Sequence, residues 1–293
     1  MSSYERAKSF CTTILDNETT QVKGTVPFVT LTYAQSLDGM ISGRGGGSLT
    51  LSCEESMIMT HRYFNMLQTS LKRITCLDSD HFLLSAHVRL RILHDGILVG
   101  IGTLLNDDPR LTARLFDPSE ESSVRQPQPI ILDSKLRFPL SARMLSSKAQ
   151  GCKAPWIFTD QIHDINKRQL LEQSGARVIP INSDPEGKLS IDHLLKTLRD
   201  PPFSISRLMV EGGAQVINSF LRSGMVNLLV VTIAPILVGA NAVSVTCNGL
   251  DEDHKNEGDD IFPTLSIVEY KQFGKDIVMV AKVLSSNVDI KND

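Results

Sequence analysis

Residues 94–114 read HDGILVGIGTLLNDDPRLTAR, and the order of signals along them decides the fold. Ile97–Ile101 is a short apolar run without alternation, which suits a strand buried on both faces. Gly100-Ile101-Gly102-Thr103 follows directly, ahead of Leu104–Asn106, so a strand passes into a helix through a glycine turn. Pro109 then keeps Asp108 out of right-handed helical geometry and makes the next turn abrupt. Outward from this unit the pattern repeats. Further apolar runs lie at Pro129–Leu132, Trp156–Phe158, Val178–Ile181 and Leu208–Val210. Helical patterns separate the later ones, at Gln161–Gln173, Ile191–Leu198 and Val216–Leu221. Strands alternating with helices predict an α/β fold with a mixed, mostly parallel sheet flanked by helices.

The two ends differ from this middle. Pro27–Tyr33 alternates, with Val29, Leu31 and Tyr33 on one face and Thr30 and Thr32 on the other, as a strand does. A loop follows at Gly43–Gly47, then a helix over Ser52–Arg62 with Ser52 as its cap and Glu54 and Glu55 in its first turn. Towards the C-terminus, Leu228–Val238 and Ile277–Val283 are long β runs flanking the polar loop Asn248–Asp260, which predicts an antiparallel C-terminal edge. No repeat or linker interrupts the pattern. The expected organisation is an N-terminal helix or arm over 1–26, one domain over 27–285 and a tail over 286–293.

Composition narrows the function classes. A net charge of -3 supplies no bulk basic field for nucleic acid or an anionic membrane, so an anionic ligand needs a local site. No apolar run reaches the length of a membrane span. MSSYERAKSFCTTILDNETT carries acids and has no long apolar stretch, so it does not read as a secretory signal. The five cysteines are scattered and include no CxxC pair, which predicts free thiols in the cytoplasm and no structural zinc. Zinc deaminase chemistry is excluded, because neither an H-x-E nor a P-C-x-x-C element is present. His61, His94 and His163 lack paired ligand spacing and read as surface or half-buried residues.

Five motifs bear on chemistry. Gly100-Ile101-Gly102-Thr103 fits an anion cradle at a helix N-terminus, and fits a plain tight turn as well. Val210-Glu211-Gly212-Gly213-Ala214 repeats the arrangement ahead of the helix from Gln215, with Glu211 at a strand end. Ligands of open α/β sheets bind beyond the carboxyl ends of the strands. Two cradles in one domain suit a dinucleotide better than either alone. Asn106-Asp107-Asp108-Pro109 places a carboxylate at the same edge, or simply caps a turn. Arg89, Arg91 and Arg114 fit phosphate grips, since arginine binds phosphate bidentately, or solvated surface. Ser36-Leu37-Asp38-Gly39 reads as an Asp-capped turn.

Four stretches in order resemble one family: PFVTLTYAQSLDGMIS from Pro27, HDGILVGIGTLLNDDPRLTAR from His94, PIILDSKLRFP from Pro129 and LMVEGGAQVINSFL from Leu208. They look like the fungal diaminohydroxyphosphoribosylamino-pyrimidine reductases of riboflavin biosynthesis, and like the reductase half of bacterial bifunctional deaminase–reductases. The resemblance implies a dihydrofolate-reductase-like fold, a homodimer and NADPH as cofactor. It places Thr103, Asp107, Leu189 and the cradle Gly212-Gly213-Ala214-Gln215-Val216 on the cofactor. Ser134, beside Lys135 and Arg137, would receive the 2′-phosphate that separates NADPH from NADH. Arg91, Leu111, Arg114 and Glu211 would hold the substrate, the arginines taking its phosphate. Glu211 and Asp107 are the candidates for proton donor, with water a third. The implied reaction reduces the ribosylamino side chain of 2,5-diamino-6-ribosylamino-4(3H)-pyrimidinone 5′-phosphate to the ribitylamino form, before deamination. A dihydrofolate-reductase-like pterin reductase and a catalytically silent NADPH-binding protein are the alternatives; the first has no use for phosphate-gripping arginines.

One departure from the family stands out. Members run from the Thr-His pair straight into Leu-Arg, whereas here Tyr63–Arg89 intervenes, an extra 27 residues. Without them the sequence reads EESMIMTHRLRILHDG, a helix with Met59, Leu90 and Leu93 on one stripe. Either the segment is absent from the working enzyme, or it is a surface insertion.

Overall fold

The computed structural model describes residues 24–44, 47, 49, 51–53, 56, 88–113, 125–146, 152–184, 186–245 and 263–284. Arg114, His61, the segment 63–87, the loop Asn248–Asp260, nearly all of the arm and the whole tail lie outside them, as does most of the helix expected over Ser52–Arg62.

The first strand, β1 (Phe28–Ser36), lies between two parallel neighbours, β7 (Arg207–Glu211) and β8 (Leu228–Ala234). From β7 the parallel sheet continues through β3 (Gly96–Gly100), β4 (Gln128–Leu132), β5 (Trp156–Asp160) and β6 (Arg177–Ile181). Beyond β8 the direction reverses: β11 (Asp276–Leu284) pairs antiparallel with β8, and β10 (Thr264–Phe273) forms the outer edge. The nine-stranded order is β10-β11-β8-β1-β7-β3-β4-β5-β6. A second sheet pairs β2 (Met40–Arg44) with β9 (Ala242–Ser244). The mostly parallel sheet with an antiparallel C-terminal edge is therefore as expected. The edge strand β10 and the β2–β9 pair were not.

Helices cover both faces. One face carries α1 (Val88–Ile92), α2 (Ile101–Asp107), α3 (Arg143–Ser146) and α4 (Ile165–Gln173), whose Leu90, Leu104, Met144 and Leu171 pack with Val99, Ile131 and Met209 of the strands. The other carries α5 (Ile191–Arg199) and α6 (Ala214–Arg222). Their Leu194, Leu195, Leu198, Ile217 and Phe220 pack on Leu31, Leu98, Ile130 and Val210. α5 follows its sequence pattern closely: Ser190 caps it through the His193 N–H, and Ile191, Leu194, Leu195 and Leu198 are its buried residues. α4 begins later than its pattern suggests, because the Asp164 carboxylate accepts from the Asn166 and Lys167 N–H groups and sets the start there.

His94 departs from expectation. It is fully buried, not surface or half-buried. Its ring lies 2.7 Å from the Leu90 carbonyl and 2.9 Å from the Thr30 hydroxyl, joining the end of α1 to β1. Burial pushes its pKa down to about 4, so it is neutral at physiological pH. His163 is half-buried, as read.

Candidate active site

β7 and β3 are neighbours, so their two strand–turn–helix junctions lie side by side at the carboxyl edge of the sheet. Gly100 caps α2 and Gly213 caps α6, and neither cap carries a side-chain hydrogen bond. A helix start without a side-chain cap leaves backbone N–H groups for an anionic ligand.

The glycines here do different work. A Cβ on Gly212 would meet Val216 Cβ at 2.9 Å and Cγ1 at 3.0 Å, and one on Gly100 would meet Val216 Cγ2 at 2.7 Å. Both glycines therefore let α6 pack against the strand ends, with Val216 between them. Gly213 is tight against the Thr103 hydroxyl, 3.2 Å from where its Cβ would stand, so the two junctions touch. Gly102 differs: a Cβ there meets nothing within 4 Å, and the residue lines the cleft. Of these glycines it is the one with open space where a side chain would stand.

The cleft has a volume of about 720 Å³. It brings together Thr103, Asp107, Ser134, Leu189, Gly212, Gly213, Ala214, Gln215 and Val216, together with Glu211 and Leu111. Asp108 closes the α2 end in a left-handed conformation, φ 41°, and its carboxylate accepts from the Arg143 N–H at 3.0 Å. Arg137 lines the cleft on the Ser134 side, whereas Lys135 faces an adjoining hollow with Ser134, Asp160 and His163. Beneath Ser134, burial pushes the Asp133 carboxyl pKa up, against the pull of the Arg137 and Phe138 N–H groups.

Arg91 is placed differently from its reading as a phosphate ligand. It is buried and does not line the cleft. Its Nε donates to Glu211 Oε1 at 2.9 Å, Nη2 to Oε2 at 2.8 Å and Nη1 to the Thr112 carbonyl at 2.8 Å. The guanidinium thus stands behind Glu211 and grips its carboxylate. Asp38, read as a turn cap, also reaches further: its carboxylate accepts from Ser36 and from the Val238 and Gly239 N–H groups of the loop after β8. These bonds hold its pKa down to about 2.

Sequence reasoning passed over Tyr33, Lys188 and Ser219, which also line the cleft. Burial pushes the Tyr33 phenol up to about 12. Its position on the apolar face of β1 disguised it as core.

Residues 27–279 match the family model described as the RibD C-terminal domain. This chain belongs to that family. The 2,5-diamino-6-ribosylamino-4(3H)-pyrimidinone 5′-phosphate reductase of Debaryomyces hansenii is 35% identical over 232 residues, 76% of this chain and 81% of the relative. Among solved structures, the Saccharomyces cerevisiae riboflavin biosynthesis reductase Rib7 has TM-score 0.61 and 26% identity, over 93% of this chain and 99% of that one. Acinetobacter baumannii RibD has TM-score 0.65 at 20% identity, over 93% of this chain and 62% of that one, and shares the fold. The RibD-type member of this fold is thus longer, and the dihydrofolate-reductase-like architecture implied by the sequence is the one found.

Proposed function

We propose that the chain is an NADPH-dependent reductase of riboflavin biosynthesis. It would reduce 2,5-diamino-6-ribosylamino-4(3H)-pyrimidinone 5′-phosphate to the ribitylamino compound before deamination. The observation that carries this reading is the pairing of two helix starts without side-chain caps at one cleft, with Glu211 beside them, in a chain of this family. The residues present fit a dinucleotide: Gly102 leaves open space where a side chain would stand, and Thr103 meets Gly213 where the junctions join.

Thr103, Asp107, Leu189 and Gly212–Val216 would hold the cofactor, and Ser134 with Arg137 would take its 2′-phosphate. Bound NADPH supplies a hydride. The chain's own part is to orient and to exclude water. Ring opening of the ribosylamine breaks the C1′–O bond and forms a C1′=N imine; reduction then adds a hydride at C1′ and a proton at nitrogen. Leu111, Glu211 and Arg114 would hold that substrate, and fixing it against the hydride donor accounts for much of the rate gain.

The homodimer reading is supported by β10, whose Leu265, Ile267 and Tyr270 are exposed on an edge strand. Among the described residues no helix is long and apolar enough to cross a membrane. The free thiol of Cys53 supports the cytoplasmic reading. Calorimetric titration tests the cofactor. NADPH is expected to bind far more tightly than NADH, and Arg137→Ala to narrow the gap. Equal affinities for the two would contradict the assignment.

A further inference from the structure

Asp276 opens β11 at its tight turn with β10, and it is fully buried. Its Oδ2 accepts from the Cys53 N–H at 2.6 Å, although the two residues are 223 positions apart. The same oxygen bonds the buried Ser56 hydroxyl. Beside these, the Cys53 thiol donates to the Phe273 carbonyl at 3.2 Å. The turn of the C-terminal hairpin is therefore joined to Cys53 and Ser56 by three hydrogen bonds.

Leu51 and Ser52 immediately precede this joint and line the cleft. Two residues of chain reach no further than about 7 Å, so whatever fixes the Cys53 amide also constrains Leu51. Phe273 and Val278, on either side of Asp276, belong to the same apolar layer as Val99 and Leu111, which line the cleft as well. The wall thus stands on the Leu111 side, the side taken for the substrate. The tie is also costly to leave unmade. Burying a carboxyl group is unfavourable unless hydrogen-bond donors offset its loss of water. Among the described residues both donors to Asp276 come from the segment that ends the wall. Moving that segment strips a buried polar group of its partners, so the wall is held stiffly.

Resting on the reductase reading above, we infer that Asp276 is a positioning residue, which holds Leu51 and Ser52 as the wall that fixes the substrate against the hydride donor. It does not line the cleft itself and acts through the Cys53 amide. A residue with this role differs from one that merely stabilises the hairpin. Its loss moves the wall and lowers turnover in a chain that is still folded.

The experiment compares wild type with Asp276→Ala, Asp276→Asn and Val280→Ala in the full chain, each well below its melting temperature. Alanine removes the acceptor, whereas asparagine keeps an oxygen for the Cys53 N–H. Val280→Ala opens a cavity at a fully buried position of the same strand and leaves the tie intact. Asp276→Ala is expected to lower kcat/KM for the phosphorylated ribosylaminopyrimidine to about a tenth of wild type, with NADPH affinity within about twofold. Asp276→Asn is expected to recover most of that loss. Val280→Ala is expected to lower the melting temperature with kcat/KM nearly unchanged. A second readout needs no turnover. Amide hydrogen exchange over Leu51–Cys53 is expected to be about tenfold faster in Asp276→Ala than in wild type or Val280→Ala. Should Asp276→Ala not fold, Cys53→Pro removes the other partner of the bond, the N–H, and carries the same expectations. Wild-type kcat/KM in Asp276→Ala, an equal loss in Val280→Ala, or unchanged exchange over Leu51–Cys53 overturns the inference. Absence of turnover in wild type would defeat the reductase reading alone, because the exchange comparison still decides whether Asp276 fixes the wall.

Discussion

Gly102 and Gly212 look alike in the sequence and serve opposite surfaces. A methyl group on Gly102 enters the cleft, where nothing of the protein stands within 4 Å. It lies in the first turn of α2, where alanine suits the helix better than glycine. Gly102→Ala is therefore expected to keep or raise the melting temperature while weakening NADPH binding, measured by calorimetry and by cofactor titration. Gly212→Ala places its methyl against Val216 and the Ile217 nitrogen. Overpacking of this kind costs about 1–3 kcal/mol, so its first effect is a lower melting temperature. The reverse pattern, with Gly212→Ala stable but unable to bind cofactor and Gly102→Ala indifferent, would exchange their roles. The sequence named both glycines as ligand-facing, because a missing side chain carries no record of what it makes room for. Arg91 was read at the same disadvantage: its residue type shows a bidentate donor, while its partner Glu211 lies 120 positions away. Thr103, Asp107 and Glu211 were legible because each sits at a fixed offset from a glycine turn at a strand end.

Among the elements, those buried by the sheet were the readable ones. The parallel strands β3 to β7 carry short apolar runs, and α5 and α6 carry a one-sided stripe, since one face of each must meet the sheet. β10 has seven of its ten residues exposed, so neither face imposes an apolar rhythm on its sequence. β2 and β9 are short, with five and three residues, and their pairing is set by tertiary position. Long-range ties were also invisible. The buried Asp276 carboxylate at the β10–β11 turn accepts from the Cys53 N–H at 2.6 Å, and so anchors a segment whose Leu51 and Ser52 line the cleft.

His94 joins α1 to β1. The folded protein binds no proton there until pH falls to about 4, whereas the unfolded chain binds one near the usual 6.5. The folded pKa is the lower of the two, so stability is full above about 6.5 and declines as pH drops towards 4. The decline attributable to this one group is about 3 kcal/mol. Urea unfolding across that range is expected to show it. His94→Gln keeps an amide able to reach Leu90 or Thr30 and should flatten the decline, at some cost in stability at neutral pH. An unchanged pH slope in the variant would mean that other groups govern acid stability.

On the scale of the whole molecule, the sheet order brings residues from five separate strand–loop junctions to one edge, which no local pattern reveals. Parallel strands share their carboxyl ends, so the turns after β1, β3, β4, β6 and β7 must meet there once the order is set. Without the extra segment Tyr63–Arg89, the sequence on its two sides would read as one helical stripe ahead of β3. A chain lacking Tyr63–Arg89 is expected to be soluble and at least as active as the full chain, with the same melting temperature within a few degrees. An insoluble or inactive product would make the segment part of the working enzyme.

On the proposed function, this cleft delivers a hydride to C1′ of a ribosylamine phosphate. Its most direct measurement is a turnover with NADPH deuterated at the transferring position of the nicotinamide, followed by mass and NMR analysis of the pyrimidine product. One deuterium per product is expected, located at C1′ of a ribitylamino side chain. A product without deuterium, or with deuterium on the pyrimidine ring, would contradict it.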